Sequence, residues 1–382
     1  MGRRNGYRGV FMRGGTSKAI IFREKDIPSD PAERHAMFLK VMGSPDPAKR
    51  QLDGLGGGMS SLSKICIVEP SARNDADVDY TFAQIPVAGT TVDYSANCGN
   101  MSSAIGPFAV EEGIVASRDG EAEVRIFNTN TKKIIVSRFA VEDGLPKVEG
   151  DFINPGVAGT GSPIRLDFIE PGGAATGRLL PTGSVIDTFE HPELPGPVRA
   201  SVIDATNLIV FVLAEDLGWD AIETPDQMEA DATLMHRLEV IRRIASARAG
   251  LAPDFDAAAS IEGNPKIGIV GPSRDYIQTT GVAVAAEEYD VSVRMLSMGQ
   301  AHRAIPLTAA LCTAVAARVD GTAVAAMARV SSSVDMPLRI GHASGVLPAV
   351  ARVGAEFDNT WIAHSAGVFR TAKRLMEGII YA

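Results

Sequence analysis

Cys98 sits between Asn97 and Gly99, just ahead of Met101, Ile105, Phe108 and Val110, whose spacing predicts a helix stopped at Gly113. Free N–H groups at a helix start stabilise an anion, either the carboxylate of a bound acid or the cysteine's own thiolate. Gly99 and Asn100 would supply those main-chain donors, and Gly99 would let the chain approach closely. The competing reading is a buried, inert cysteine. Lys64 opens a predicted strand directly after a glycine- and serine-rich loop, DGLGGGMSSLS at 53–63. Such a lysine either points into a cleft, where burial lowers its pKa and frees an amine to act as a base, or snorkels along the surface. Cys66 and Cys312 lie inside apolar segments and read as core.

A second polar cluster, RGGTSK at 13–18, joins two apolar strands. Arg13, Thr16 and Ser17 suit a carboxylate, through a charged fork and hydroxyls, and equally suit a solvated turn. Of six scattered histidines, His302 and His342 stand out because the last third repeats part of the first. VRIFNTNTKKIIVSRF at 124–139 matches LRIGHASGVLPAVARV at 338–353, aligning Arg125 with Arg339, Asn128 with His342 and Asn130 with Ser344. Met298-Gly299-Gln300, ahead of an apolar helix ending at Gly321, parallels Cys98-Gly99-Asn100. On that repeat Met298, Gly299, His302, His342, Ser344 and Gly345 become candidate ligand contacts, and either histidine also suits a satisfied structural position. Two copies of an α/β unit facing a common cleft would account for the match.

Several chemistries lose support on spacing. The loop at 13–18 lacks the GxxxxGK[ST] pattern of a phosphate-binding loop, and no GxGxxG opens a βαβ unit near the N-terminus. No HExxH or GxSxG occurs. Three cysteines without close pairs give neither a disulfide framework nor a metal-ligand pattern. The expected metal content is none.

The elements that must position these residues fit a chain whose 382 residues suggest two domains or one large α/β unit. Hydrophobic residues make up 45%, enough for full cores, so disorder is a poor reading. A net charge of −9 argues against bulk nucleic-acid binding, which needs a basic face. The longest greasy stretches, such as Ile305–Val319, are interrupted by Pro, Thr and Arg and predict buried helix rather than a membrane span. The start of the chain lacks a signal-peptide core, which favours the cytoplasm. Strands are predicted at 8–22, broken by the Gly-Gly loop, and at 63–68, 79–86, 164–168, 201–214, 266–270 and 292–296, with a hairpin over 123–139. Helices are predicted at 31–42 and, as the clearest amphipathic segment, at 225–247. Pro171–Gly183 is the expected crossing between domains at 1–184 and 185–382, with a terminal segment able to cross back to the first.

The motifs MRGGTSK (12–18), GSPDP (43–47), DGLGGG (53–58), SLSK (61–64), DVDYTFAQ (77–84), NCGN (97–100), GPFAVEEG (106–113), LLPTG (179–183), AEDLG (214–218), LSMGQAH (296–302) and GHASG (341–345) together resemble the PrpF family. These are cofactor-independent isomerases of unsaturated di- and tricarboxylates, among them 2-methylaconitate cis-trans isomerase, 4-oxalomesaconate tautomerase and 3-methylitaconate isomerase. The resemblance covers nearly the whole chain. It implies an α/β (α+β) diaminopimelate epimerase-like fold, two similar domains each wrapping strands around a central helix, with the active site between them. It implies catalysis by Lys64 and Cys98 without a cofactor. It also implies a small unsaturated di- or tricarboxylate as the only partner, with no nucleic acid or membrane, and a homodimer as the assembly considered. The epimerase branch uses two facing cysteines; here the second position falls near Met298-Gly299-Gln300, where none stands, which removes a two-thiol mechanism.

The expected reaction is removal of an allylic proton and its return at the far end of the allyl unit. A 2-methylaconitate-like substrate is the first expectation and 4-oxalomesaconate or an itaconate-type acid the alternative. An amino-acid racemase or epimerase and a non-catalytic acid-binding protein are the competing classes.

Overall fold

In a computed structural model the described residues are 6–94, 97–261, 263–297, 299–331, 333, 336–356 and 360–382. The chain forms two compact units, residues 1–167 with 369–382, and residues 168–368. The glycine-rich stretch 171–183 lies within the second unit. There the amides of Ala175 and Thr176 and the Thr176 hydroxyl converge on the Asp204 carboxylate at 2.7–2.9 Å.

The first unit begins with the hairpin β1 (Gly6–Gly14) and β2 (Ser17–Arg23). Helix α1 (Pro31–Met42) follows, capped by the Asp30 carboxylate accepting from Glu33 N and closed by Gly43 at φ 72°. Next come β3 (Lys64–Pro70), parallel to β2, and β4 (Val78–Gln84), antiparallel to β3. Helix α2 (Gly99–Glu111) precedes the hairpin β5 (Gly120–Asn128) and β6 (Lys133–Glu142), with β5 parallel to β4. The strand Ala372–Tyr381 pairs antiparallel along β1.

Helix α2 is apolar around its circumference because strands surround it. Met101 through Val110 are buried without a break. It continues through Pro107, which deprives the Ser103 carbonyl of its usual donor. Full burial of Phe108 is worth roughly 1.5–3 kcal/mol, comparable to the cost of that lost bond.

The second unit repeats the plan. Hairpin β7 (Val198–Ala205) and β8 (Asn207–Leu213) is followed by β9 (Lys266–Gly271), parallel to β8, and β10 (Val291–Ser297), antiparallel to β9. Between β8 and β9 lie α3 (Pro225–Ala230) and α4 (Ala232–Arg248). The single helix expected over 225–247 is split at Asp231, whose carboxylate caps the second piece by accepting from Leu234 N. Helix α5 (Leu307–Ala316) then precedes the hairpin β11 (Leu338–His342) and β12 (Gly345–Ala355), with β11 parallel to β10.

The repeat extends to single hydrogen bonds. Asp77 N donates to Arg125 O at 2.8 Å, and Asp290 N to Arg339 O at 2.7 Å. Arg125 returns its amide, Nε and Nη2 to the Asp77 carboxylate, and Arg339 returns the same three groups to Asp290. The alignment of Arg125 with Arg339 is therefore a structural equivalence. The alignment of Cys98 with Met298 is corrected. After β10 the chain turns at Gly299 (φ 71°), and Gln300–Ala301 pairs back onto β10 before α5 begins. The residue at the α5 N-cap, where Cys98 stands on α2, is Pro306.

Candidate active site

In the first unit, the β1–β2 turn rests against the start of α2. A Cβ on Gly14 would lie 2.6 Å from Asn100 O and 3.1 Å from Met101 Cα. Gly15 turns at φ 51° and donates its amide to Thr371 O. Arg13 Nη1 reaches Gly15 O, Thr371 O and Thr371 Oγ1 at 2.9–3.1 Å, so this nitrogen clamps the turn. Thr16 Oγ1 accepts from Asn100 Nδ2 at 3.1 Å, and Ser17 is buried.

Cys98 occupies the N-cap of α2, but its side chain makes no capping bond. Its thiol is free and partly exposed, whereas Cys66 and Cys312 are fully buried. The first intrahelical bond runs from Ser102 N to Cys98 O, leaving the amides of Gly99, Asn100 and Met101 ahead of the ladder. Asn97 is tied to Ser102 Oγ and receives Asn128 Nδ2 at 3.3 Å.

Lys64 is 7% exposed, with Nζ 2.6 Å from Gln84 Oε1 and 4.9 Å from the centre of the Phe82 ring. Gln84 is aimed by its own donations to Ser63 O and Ser60 O. Lys64 and Cys98 share a neighbourhood around Cys66. Burial pushes the Cys66 thiol up, Cys98 adds to that push and Lys64 opposes it.

Arg370 was not singled out by its sequence, because FRTAKR on a strand carries no local motif. It is 6% exposed, donating Nε to Asn100 Oδ1 at 3.3 Å and Nη1 to Phe369 O. Burial lowers its pKa to about 10, and no carboxylate of the described residues pairs with it. A buried guanidinium beside a helix N-terminus makes this end of α2 electropositive. Gln84 was also missed; its signal was its register opposite Lys64.

In the second unit, His342 is buried and its Nδ1 accepts from Ser344 N at 3.1 Å. Ser344 Oγ donates to Arg303 O and shares a hydrogen bond with Thr279 Oγ1. Gly345 turns at φ 127°, and the Tyr276 hydroxyl lies 2.7 Å from its carbonyl and 2.9 Å from that of His342. Beneath this loop Arg294 is buried with Nη2 unpartnered among the described residues. His302 donates its amide to Met295 O, and burial, then Lys266, push its pKa down. Gly299 is exposed at its turn, and Met298 lies outside the described residues.

A cavity of about 690 Å³ lined by Lys40, Pro45, Asp46, Leu52 and Tyr381 includes none of these groups, so concavity and chemistry do not coincide there. Among the described residues no group of three or more His, Cys, Asp or Glu is set to hold a metal ion. No helix there is long and apolar enough to cross a membrane.

Two units of strands around a central helix define a mixed α/β protein of the diaminopimelate epimerase-like isomerases. A solved methylitaconate-delta-isomerase matches at a TM-score of 0.92, with 38% identity, over 100% of this chain and 96% of that one. The chain belongs to the PrpF protein family, matching it over residues 7–382, and is an isomerase. It is 39% identical to 3-methylitaconate isomerase of Eubacterium barkeri over 374 residues, 97% of this chain and 96% of that protein. It is 38% identical to 2-methyl-aconitate isomerase of Shewanella oneidensis over 386 positions, 97% and 95% of the two chains.

Proposed function

We propose that this isomerase moves a proton and a C=C bond within an unsaturated polycarboxylate of the 2-methylaconitate type, and that Lys64 carries the proton. The observation behind this reading is the setting of Lys64. It is a buried amine aimed by Gln84 and backed by an aromatic ring, in a chain similar to isomerases of methylated unsaturated acids.

Nζ, acting in its amine form, takes the allylic proton. The C–H electron pair becomes a new C=C bond, and the pair of the old one delocalises into the adjoining carboxylate. Nζ–H then returns the proton at the far allylic carbon, the charge leaves the carboxylate, and the product is an isomer. One base serves both steps. The open amides of Gly99 and Asn100, with Arg370 behind Asn100, suit a carboxylate whose charge grows in the transition state. Cys98, unengaged in capping, donates a hydrogen bond to that charge or relays the proton. Thr16 and Ser17, on the turn that carries Arg13, are the proposed contacts for a second carboxylate. Arg13 supports them by holding its turn.

The test is a panel of 2-methylaconitate, 3-methylitaconate and 4-oxalomesaconate followed by proton NMR in deuterated water. Double-bond migration is expected for at least one, with deuterium on an allylic carbon wherever Nζ exchanges with solvent. No migration in any of them rejects the proposal.

A further inference from the structure

Lys266 occupies in the second unit the position that Lys64 holds in the first. Lys64 lies opposite Gln84, seven residues after Asp77 (84 − 77). The β9–β10 register pairs Ile267 with Leu296, so Lys266 falls one step further on, opposite Ser297, seven residues after Asp290 (297 − 290). The Asp77–Arg125 and Asp290–Arg339 clamps fix the two frames independently. Each lysine is also the first residue of a strand running parallel to the second arm of a hairpin.

Among the described residues no acid is a partner of Lys266. The acids bonded to the residues flanking His302 are engaged: Glu229 accepts from Ala301 N, and Asp226 pairs with Arg303. No carboxylate of the described residues bonds to Lys266 or His302. Burial lowers the pKa of Lys266, and its charge acts on His302. His302 Nε2 is buried without a partner among the described residues. A half-buried cation coupled to an unpaired ring nitrogen is costly unless an anion completes it.

We infer that Lys266 is a substrate-binding residue, holding one carboxylate of the polycarboxylate with His302 Nε2–H as second donor. This rests on the polycarboxylate reading above, yet its test is separable from it. The probe is propane-1,2,3-tricarboxylate, which has no double bond to move, titrated calorimetrically into the whole protein. Lys266→Met is expected to weaken binding at least about tenfold, the loss of one charge-assisted hydrogen bond. It should also raise the His302 titration midpoint seen by NMR and, with an isomerisable acid, raise KM more than it lowers kcat. Lys266→Arg should restore most of the affinity. His302→Gln weakens the same binding with Lys266 in place, and so serves if Lys266→Met does not fold. Wild-type affinity and an unmoved His302 midpoint in Lys266→Met overturn the inference, as does wild-type protein that binds no tricarboxylate. Lysine-dependent binding without isomerisation of any acid in the panel would uphold this site and sink the proposed function. Isomerisation with unchanged KM in Lys266→Met would do the reverse.

Discussion

The two units share a frame and differ where a ligand would meet it. Both place an Arg–Asp clamp between parallel strands, a lysine at the start of an inner strand, and a hairpin tip against the first turn of a buried helix. In the first unit that tip is Gly14-Gly15, and the helix starts at Cys98 and Asn100. In the second the tip is Thr206 at φ 60°, whose hydroxyl donates to Thr308 O, while Asn207 Nδ2 donates to Thr308 Oγ1. There the helix starts at Pro306, which offers neither a thiol nor an amide hydrogen. Thr206 and Asn207 tie the second helix start through Thr308; at the first, Thr16 and Arg370 hold the Asn100 side chain, while the Cys98 thiol at the N-cap makes no capping bond. The ladders carry the fold, and a few positions at the tip and cap carry the divergence.

The sharpest way to break the comparison is to remove each lysine's charge. Lys64→Met should lower kcat at least about 10²-fold, the low end of a general-base contribution, whereas Lys266→Met should act mainly on KM. Equal effects on kcat, read in one NMR assay, would mean that the units divide no labour.

A smaller effect is expected at the hairpin tip. Gly14→Ala puts a methyl 2.6 Å from the Asn100 carbonyl, backbone that cannot swing aside, and should cost roughly 1–3 kcal/mol in urea unfolding. It should also reduce turnover by displacing Asn100. An unchanged denaturation midpoint would show that the tip is not packed as described.

The smallest effect sharpens the frame. Burial pushes the Asp77 carboxyl up, but bonds from the Arg125 side chain and amide outweigh it and hold the pKa below the usual range. A group held lower in the folded than in the unfolded state adds stability above the unfolded value of about 3.9, lost as pH falls through the folded one. Asp77→Asn should therefore cost about 1 kcal/mol at neutral pH, reduced by partial exposure, and flatten the acid limb below about pH 4. An acid limb identical to wild type would remove the clamp from the stability argument.

Much of the fold was legible because the signals were local or repeated. Asp30-Pro31 and Gly43 bracket α1, and Thr129–Lys132 turns the β5–β6 hairpin. The 124–139 and 338–353 segments align because both must supply the same arginine to the same clamp. The break at Asp231 was hidden by apolar residues that continue the helical period on both sides of a capping carboxylate. The repeat was misaligned at Met298 because the chain returns onto β10 through a tight turn at Gly299, whereas in the first unit it returns onto Gln84 only at Asp93, after a longer loop. Arg370 and Lys266 were missed for a different reason. A lone cation on a strand acquires meaning only from its register, and register is a property of the partner strand. Lys64 and Cys98 were visible because glycine, serine and asparagine punctuate the chain beside them.

The pairing of residues 372–381 with β1 sets an order of manufacture. During synthesis, residues 168–368 (201 of them, 368 − 167) emerge before Arg370 and the strand that covers β1. At ordinary translation speeds that interval is roughly 10–40 s. Throughout it the nascent first unit carries a bare strand edge, a template for wrong partners in a crowded cell, while the second unit has all of its residues in one continuous stretch. The seam along β1 therefore closes only after the whole second unit has emerged.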